Sequence, residues 1–326
     1  MNILFLIGNG FDLNVGLNTR FKDVLESYLS EENKDPCIIK FKKNISENFE
    51  NWSDFEKQMG IYTEEYDSTT IEYYCFCVKN FKESLIRHLK KEEDRIAFDA
   101  KKDKIVDVLK RSIYSFYDEL QLNSKDILAR PILRARSQHD YPLYNFITFN
   151  YTHVLDKCLD NIKASRSDIG NILHIHGTVS KNPIMGIDNI NQIVNKELLT
   201  NDKLARVIIK PVVNKKLKYL NDIEGKNTIN SSDIICLFGL SLGETDQTWW
   251  EIIGNWLKIS AGRQLVIFDI ANQWNAIHAD EEIENIDAIE EKFCSAAGFS
   301  EKERESVASR IHIGLNTDMF KIDLTK

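Results

Sequence analysis

The stretch "ILHIHG", residues 172–177, carries His174 and His176 two residues apart and closes on Gly177. In a strand, residues two apart share a face, so both rings are expected on one side, with Leu173 and Ile175 on the other. His176, at the end of the run, is the candidate general base, because imidazole trades its proton near neutral pH. His174 reads as a structural histidine. Two histidines at this spacing could hold a metal, but no Cys or acidic ligand lies close in sequence, so none is expected. "TFNYTH" sets Asn150 just past another apolar run. An amide there can orient a water or a sugar hydroxyl, or cap a helix starting near Thr152.

Two glycine loops add a second kind of chemistry. "LIGNGFDLNVGL", residues 6–17, contains Gly8, Asn9, Gly10, Asp12 and Gly16. Residues without side chains let backbone amides approach a phosphate, and the helix that follows adds its positive end. A dinucleotide fingerprint would put a third glycine at position 13, where Leu13 stands, which argues against a hydride-transferring dehydrogenase. A carboxylate beside a phosphate is unfavourable, so Asp12 is expected to face a ribose hydroxyl or cap the helix. "FGLSLGETD" repeats the device with Gly239, Ser241, Gly243 and Asp246, the last also fit to cap a helix. Asp269 ends another apolar run, where a carboxylate can hold an adenosine ribose or simply occupy a surface turn. Each loop alone reads equally well as a plain turn.

These residues need a frame. Six short apolar runs, at 3–7, 145–149, 172–175, 234–238, 265–269 and 311–315, read as buried strands. Their continuous apolarity suits a mostly parallel sheet covered on both faces. Helical stretches at 152–161, 247–260 and 280–297 separate several of them, giving an α/β, Rossmann-like architecture. The first two runs lie too far apart for an ordinary connection, so 26–142 is expected as a helical insertion between core segments 1–25 and 143–326. Within it, "SDFE" fits a capping box of Ser53 and Glu56, and 71–91 and 95–122 show helical spacing. Residues 182–232 read as a lid or small subdomain, and Trp249, Trp250 and Trp256 as core.

Composition narrows the function. A net charge of −8 disfavours a nonspecific grip on nucleic acid or acidic lipid. No run is long enough for a membrane span or a leader peptide, so a cytoplasmic protein is expected. The six cysteines form no CxxC pair, which suits reduced, buried thiols.

Taken in order, "GNGFDLNVGL", "TFNYT", "HIHG" and "FGLSL" resemble the loops of sirtuin-like NAD-binding proteins. Gly8, Gly10, Gly16 and Leu17 fit the spacing of the sirtuin glycine loop, Asn150 the active-site asparagine, His176 and Gly177 the His-Gly pair, and Gly239 with Ser241 the Gly-Thr-Ser loop. The whole chain resembles the AbiH abortive-infection family of bacterial phage-defence proteins, through "ILFLIGNGFDL", "NWSDFEKQMG", "FNYT", "HIHG", "FGLSLGETD" and "NTDMF". It departs from protein-deacylating sirtuins in lacking a four-cysteine zinc module. Thr152 stands where sirtuins carry an Asp for the nicotinamide amide, and Asn18 where they carry Pro. Their Phe-Arg pair is reversed as Arg20 and Phe21.

The resemblance implies NAD as substrate, cleaved by water to nicotinamide and ADP-ribose in phage defence. His176 and Asn150 would be catalytic. Gly8, Asn9, Gly10, Asp12, Gly177, Gly239, Ser241, Asp246 and Asp269 would hold the nucleotide. It further implies a phage-derived trigger, and surface helices of the insertion are candidates for homo-oligomer assembly. Two rivals stay open: a regulatory module that binds NAD or ADP-ribose without catalysis, and an enzyme acting on another nucleotide or on nucleic acid.

Overall fold

The computed structural model describes residues 1–163, 167–270 and 279–325. All six apolar runs are strands: β1 (Asn2–Ile7), β2 (Leu143–Thr148), β3 (Ile169–His174), β4 (Ile234–Phe238), β5 (Gln264–Asp269) and β6 (Ile311–Leu315). They form one parallel sheet in the order β3-β2-β1-β4-β5-β6. β1 lies at the centre, between β2 and β4, and its residues from Ile3 to Ile7 are fully buried. Burial on both faces is what its unbroken apolar sequence demands.

The described residues form fourteen α-helices. Between β1 and β2 run α1 (Gly10–Asn14), α2 (Phe21–Ser30), α3 (Pro36–Glu47), α4 (Phe55–Ile61), α5 (Ile71–Glu93), α6 (Lys102–Tyr114) and α7 (Leu122–Ser137). α8 (Val154–Lys163) follows β2, and α9 (Asp202–Ile208), α10 (Lys210–Leu217) and α11 (Asn221–Asn230) follow β3. α12 (Gln247–Ile259) joins β4 to β5, while α13 (Ala279–Ala296) and α14 (Glu301–Val307) precede β6. None of these helices is long and apolar enough to cross a membrane.

Three apolar cores result. On one face Phe5, Phe146, Phe238 and Phe268 pack with α6, α7 and α8. On the other, Leu4, Leu6, Ile147 and Leu237 pack with α12 and α13, including Trp249, Trp250 and Trp256. The third core gathers α2, α3, α4 and α5 with the segment Val179 to Ile209, and contains Tyr28, Phe41, Trp52, Phe55 and Phe81. The segment expected as a single insertion is thus divided. α6 and α7 cover the sheet, because Ile105, Leu109, Ile113, Leu128 and Ile132 face it. α2 to α5 leave the sheet and form a cap with part of the second irregular stretch. Helix 95–122 likewise resolves into the shorter α6 and a single turn at Phe116–Glu119.

The capping-box reading of "SDFE" is corrected. The cap of α4 is Asp54, whose carboxylate accepts from the Lys57 amide. Glu56 points elsewhere, and the Ser53 side chain lies outside the described residues.

Candidate functional site

The strand order reverses between β1 and β4, and ligands of doubly wound sheets bind at this switch, beyond the carboxyl ends of the strands. A cavity of about 820 Å³ opens there, within the size of cofactor sites. Strand-end segments after β1, β2, β3, β4, β5 and β6 all line it, and Phe21, Asp54, Glu56, Leu85 and Leu89 of the cap close it from above.

The glycines hold this rim together. A Cβ on Gly10 would lie 2.5 Å from Gly239 Cα, and one on Gly8 would lie 2.5 Å from Gly239 O. Only bare backbone allows the β1 and β4 ends to meet so closely. The Gly8 amide donates to Phe238 O at 2.9 Å and the Gly10 amide to Gly239 O at 3.0 Å. The amides expected to cradle a phosphate are therefore occupied in joining two strand ends. Among the described residues the amides of Asn9, Ser241, Leu242 and Gly243 have no hydrogen-bond partner. Asn9 fixes its loop through its side chain, donating to Thr19 O and accepting from the Thr19 hydroxyl.

His176 is 5% exposed and lines the cavity. Its Nε2 lies 2.9 Å from Asp246 Oδ1, and the same oxygen accepts from Lys210 Nζ at 2.9 Å. Lys210 Nζ also reaches Glu56 Oε2 at 2.9 Å, and Glu56 Oε1 accepts from the Gly186 amide at 3.0 Å. Burial would raise the Asp246 pKa, but Lys210 and His176 outweigh it and hold the carboxyl well below the usual range. Burial would lower Lys210, but Asp246 and Glu56 hold it above its ordinary value. An ionised carboxylate only accepts, so His176 Nε2 carries the proton. In the neutral ring Nδ1 then keeps its lone pair. Nδ1 is buried without a partner. Phe149 packs edge-on against the ring at 5.4 Å between centroids.

Asp12 and Asn150 meet on the other side. Asp12 Oδ2 accepts from the Thr152 hydroxyl at 2.8 Å. Burial pushes the Asp12 carboxyl up to about 7, although the Thr152 hydroxyl and the nearby Asn150 amide pull the other way. Asp12 Oδ1 and Asn150 Nδ2 are nevertheless both left buried without a hydrogen-bond partner. α8 begins at Val154, so Asn150 is not its cap. Asp246 does precede α12, but its side chain makes no capping bond and turns to His176 and Lys210.

Gly239, Ser241 and Asp269 line the cavity as well. Gly177 does not; it serves the turn behind His176, with φ of 71° and the Asn182 carbonyl where a Cβ would go. The expectation that both histidine rings share a side is also corrected. β3 ends at His174, so strand alternation stops before His176. His174 Nε2 lies 2.9 Å from Asp156 Oδ2 on α8, on one face of the sheet. His176 turns to Asp246 at the start of α12, whose helix covers the opposite face.

Several residues of the site and its supports escaped sequence reasoning. Trp250 was read as core and is core, yet it also lines the cavity, stacked on Phe149 at 5.6 Å and donating to Gly243 O. Glu56 lies inside the "SDFE" motif, where a capping box has it reaching back to Ser53; it reaches Lys210 and the Gly186 amide instead. Lys210 sits before Pro211 in a stretch with no chemical signature, and nothing in its neighbours announces a buried cation.

The family model described as bacteriophage abortive infection AbiH matches residues 4–268. This span runs from β1 through nearly all of β5 and includes every segment that supplies His176, Asp246, Lys210, Glu56, Asp12 and Asn150. A comparison with curated proteins finds no match.

Proposed function

The chain belongs to the AbiH family, a membership that supports a role in abortive phage infection, and from that premise we propose that its cavity binds NAD and hydrolyses it to nicotinamide and ADP-ribose. One observation carries the reading. Asp12 Oδ1, Asn150 Nδ2 and His176 Nδ1, from the segments after β1, β2 and β3, are buried and unpaired around a cavity of cofactor size. Buried polar atoms without partners are costly, and a polar ligand with matching groups removes the cost.

The bond from ribose C1′ to the nicotinamide nitrogen breaks with its electron pair moving to that nitrogen, which neutralises the pyridinium. The leaving group is neutral and needs no acid. The ribose passes through an oxocarbenium-like state, as in other glycoside cleavages. A water attacks C1′ and gives its proton to His176 Nδ1, while Asp246 steadies the imidazolium at Nε2. A well-placed base contributes about a hundredfold or more. Asn150 donates to the water or to a ribose hydroxyl. Asp12, once ionised, faces the positive charge growing on the ribose. The adenosine half lies toward Gly239, Ser241 and Asp269, and the unpaired amides of Asn9, Ser241 and Gly243 replace Gly8 and Gly10 as donors to the pyrophosphate. The chain's net charge of −8 disfavours a polynucleotide.

The test is titration of NAD into the full chain by calorimetry, with the products identified by chromatography. Binding together with nicotinamide and ADP-ribose in equal amounts supports the proposal. Saturable binding with intact NAD, and no gain on adding phage lysate, favours the non-catalytic binding module. That module has the same unpaired atoms in its favour, since they call for a ligand whether or not it reacts.

A further inference from the structure

We propose that Glu56 and Lys210 are positioning residues through which the seated cap fixes the ring of His176. The cavity's base is then set only while the cap rests on the sheet. The proposal deepens the reading of His176 as that base. Its ground is the division of one buried chain of contacts between two bodies. Glu56 lies on α4 and Lys210 begins α10, both joined to the cap core, whereas His176 and Asp246 stand at the ends of β3 and β4. Lys210 is 3% and Glu56 7% exposed, so this is no surface pair.

Besides its ties through α5, where the Asn18 amide donates to Glu92 and the His153 amide to Glu93, the cap grips one turn of the sheet domain that carries Asp246. Lys57 of α4 pairs with Glu244 at 3.0 Å, and Gln192 donates to Glu244 O at 3.2 Å. Asp188 accepts from both the amide and the hydroxyl of Thr248, at 2.9 and 2.7 Å. Lys210 reaches Asp246 itself. Lys210 is locked in turn, because its amide donates to Ile187 O at 2.9 Å and Glu56 holds Gly186 beside it.

With Lys210 in place, one Asp246 oxygen is shared between two donors and the carboxylate has a single orientation. His176 must then present Nε2–H to it and turn Nδ1 away. Once the cap lifts, Asp246 keeps its charge but loses its anchor. The carboxylate is free to rotate, and the ring can offer either nitrogen. A device of this kind ties a base that acts on a vital cofactor to the seating of a second body, which a trigger could displace or secure.

The test reads the tautomer of His176 by nitrogen NMR of the full chain labelled in histidine, with the signal assigned by its loss in His176→Ala. No NAD is present, so the result stands apart from turnover; failure of the hydrolysis reading would appear only in the nicotinamide assay. Wild type should show the Nε2–H form alone. Lys210→Met combined with Glu56→Gln, which removes the buried cation together with its second carboxylate and leaves Asp246 with His176 alone, should give a mixture of both tautomers. Lys210→Arg should restore the single form. An unchanged single tautomer in the double variant overturns the proposal. Should that variant not fold, wild type in rising urea decides. Mixing that accompanies loss of amide protection at Ile187 and Lys210, before the sheet unfolds, supports it. Mixing only at global unfolding overturns it.

Discussion

Replacing Asp12 by Asn should stabilise the protein above neutral pH while abolishing its function. The Asp12 carboxyl is raised from its ordinary 3.8 to about 7, chiefly because it is buried, with a side-chain exposure near zero and one oxygen unpaired. In the unfolded chain the group gives up its proton near its ordinary value, whereas the folded protein retains it to about 7. Between those points the unfolded state binds fewer protons, so stability falls as pH rises, and the loss is complete above the folded value. A span of about three pH units, at about 1.4 kcal/mol each, makes that loss at most about 4 kcal/mol. An Asn at this position does not titrate, and its carbonyl can still accept from the Thr152 hydroxyl. Urea unfolding at about pH 5 and about pH 8 measures the difference: the variant's advantage should widen by about 3 kcal/mol across that interval. An advantage that stays constant, or one that shrinks with pH, would refute the argument that burial has displaced this carboxyl. Stability surrendered at a single buried carboxylate is the expected mark of a group retained for binding or chemistry.

Other predictions follow from the same geometry. Gly10→Ala puts a methyl group 2.5 Å from Gly239 Cα and should cost about 3 kcal/mol or more, whereas Gly243→Ala, whose nearest neighbour is 3.4 Å away, should be nearly neutral; thermal unfolding compares them. His312 is held by burial at about 4, below its ordinary 6.5. Below the ordinary value the unfolded state takes the proton first, so stability should fall by about 3 kcal/mol on acidification through this range, and His312→Gln should flatten that limb of the curve. Lys82→Met removes the donor shared by Met185 O and Val207 O, at 2.8 and 2.6 Å. It should cost about 2–4 kcal/mol and speed proteolysis within the cap.

The sheet was legible because the inner strands β1, β4 and β5 hold unbroken runs of apolar, mostly branched or aromatic residues, which suit burial on both faces, whereas the edge strands β3 and β6 carry Gly170, Asn171 and His312. Ile3 to Ile7 and Ile234 to Phe238 announce a central pair. The loops of the site were legible as positions, since Asn150, His176 and Ser241 each stand just past such a run. Their contacts were not. Gly8 and Gly10 read as bare backbone, but sequence cannot say that the bareness serves Gly239, more than two hundred residues away in the chain. The Lys210–Glu56 pair joins residues 154 apart, and each looks like ordinary surface until both are buried against Asp246. Strand alternation predicted the His176 ring wrongly because the strand stops at His174, and a period of two has no authority beyond the last ladder bond.

The proposed cleavage of NAD in the cavity between β1 and β4 depends on His176 as base. Single-turnover kinetics tests it most directly: protein in excess is mixed with NAD labelled in the nicotinamide ring, and free nicotinamide is followed, with and without phage lysate, for wild type and His176→Ala. Wild type should release the label, and the variant should bind NAD yet release the label at least about a hundredfold more slowly. Equal rates from the two proteins, or no release by wild type under either condition, would contradict the account.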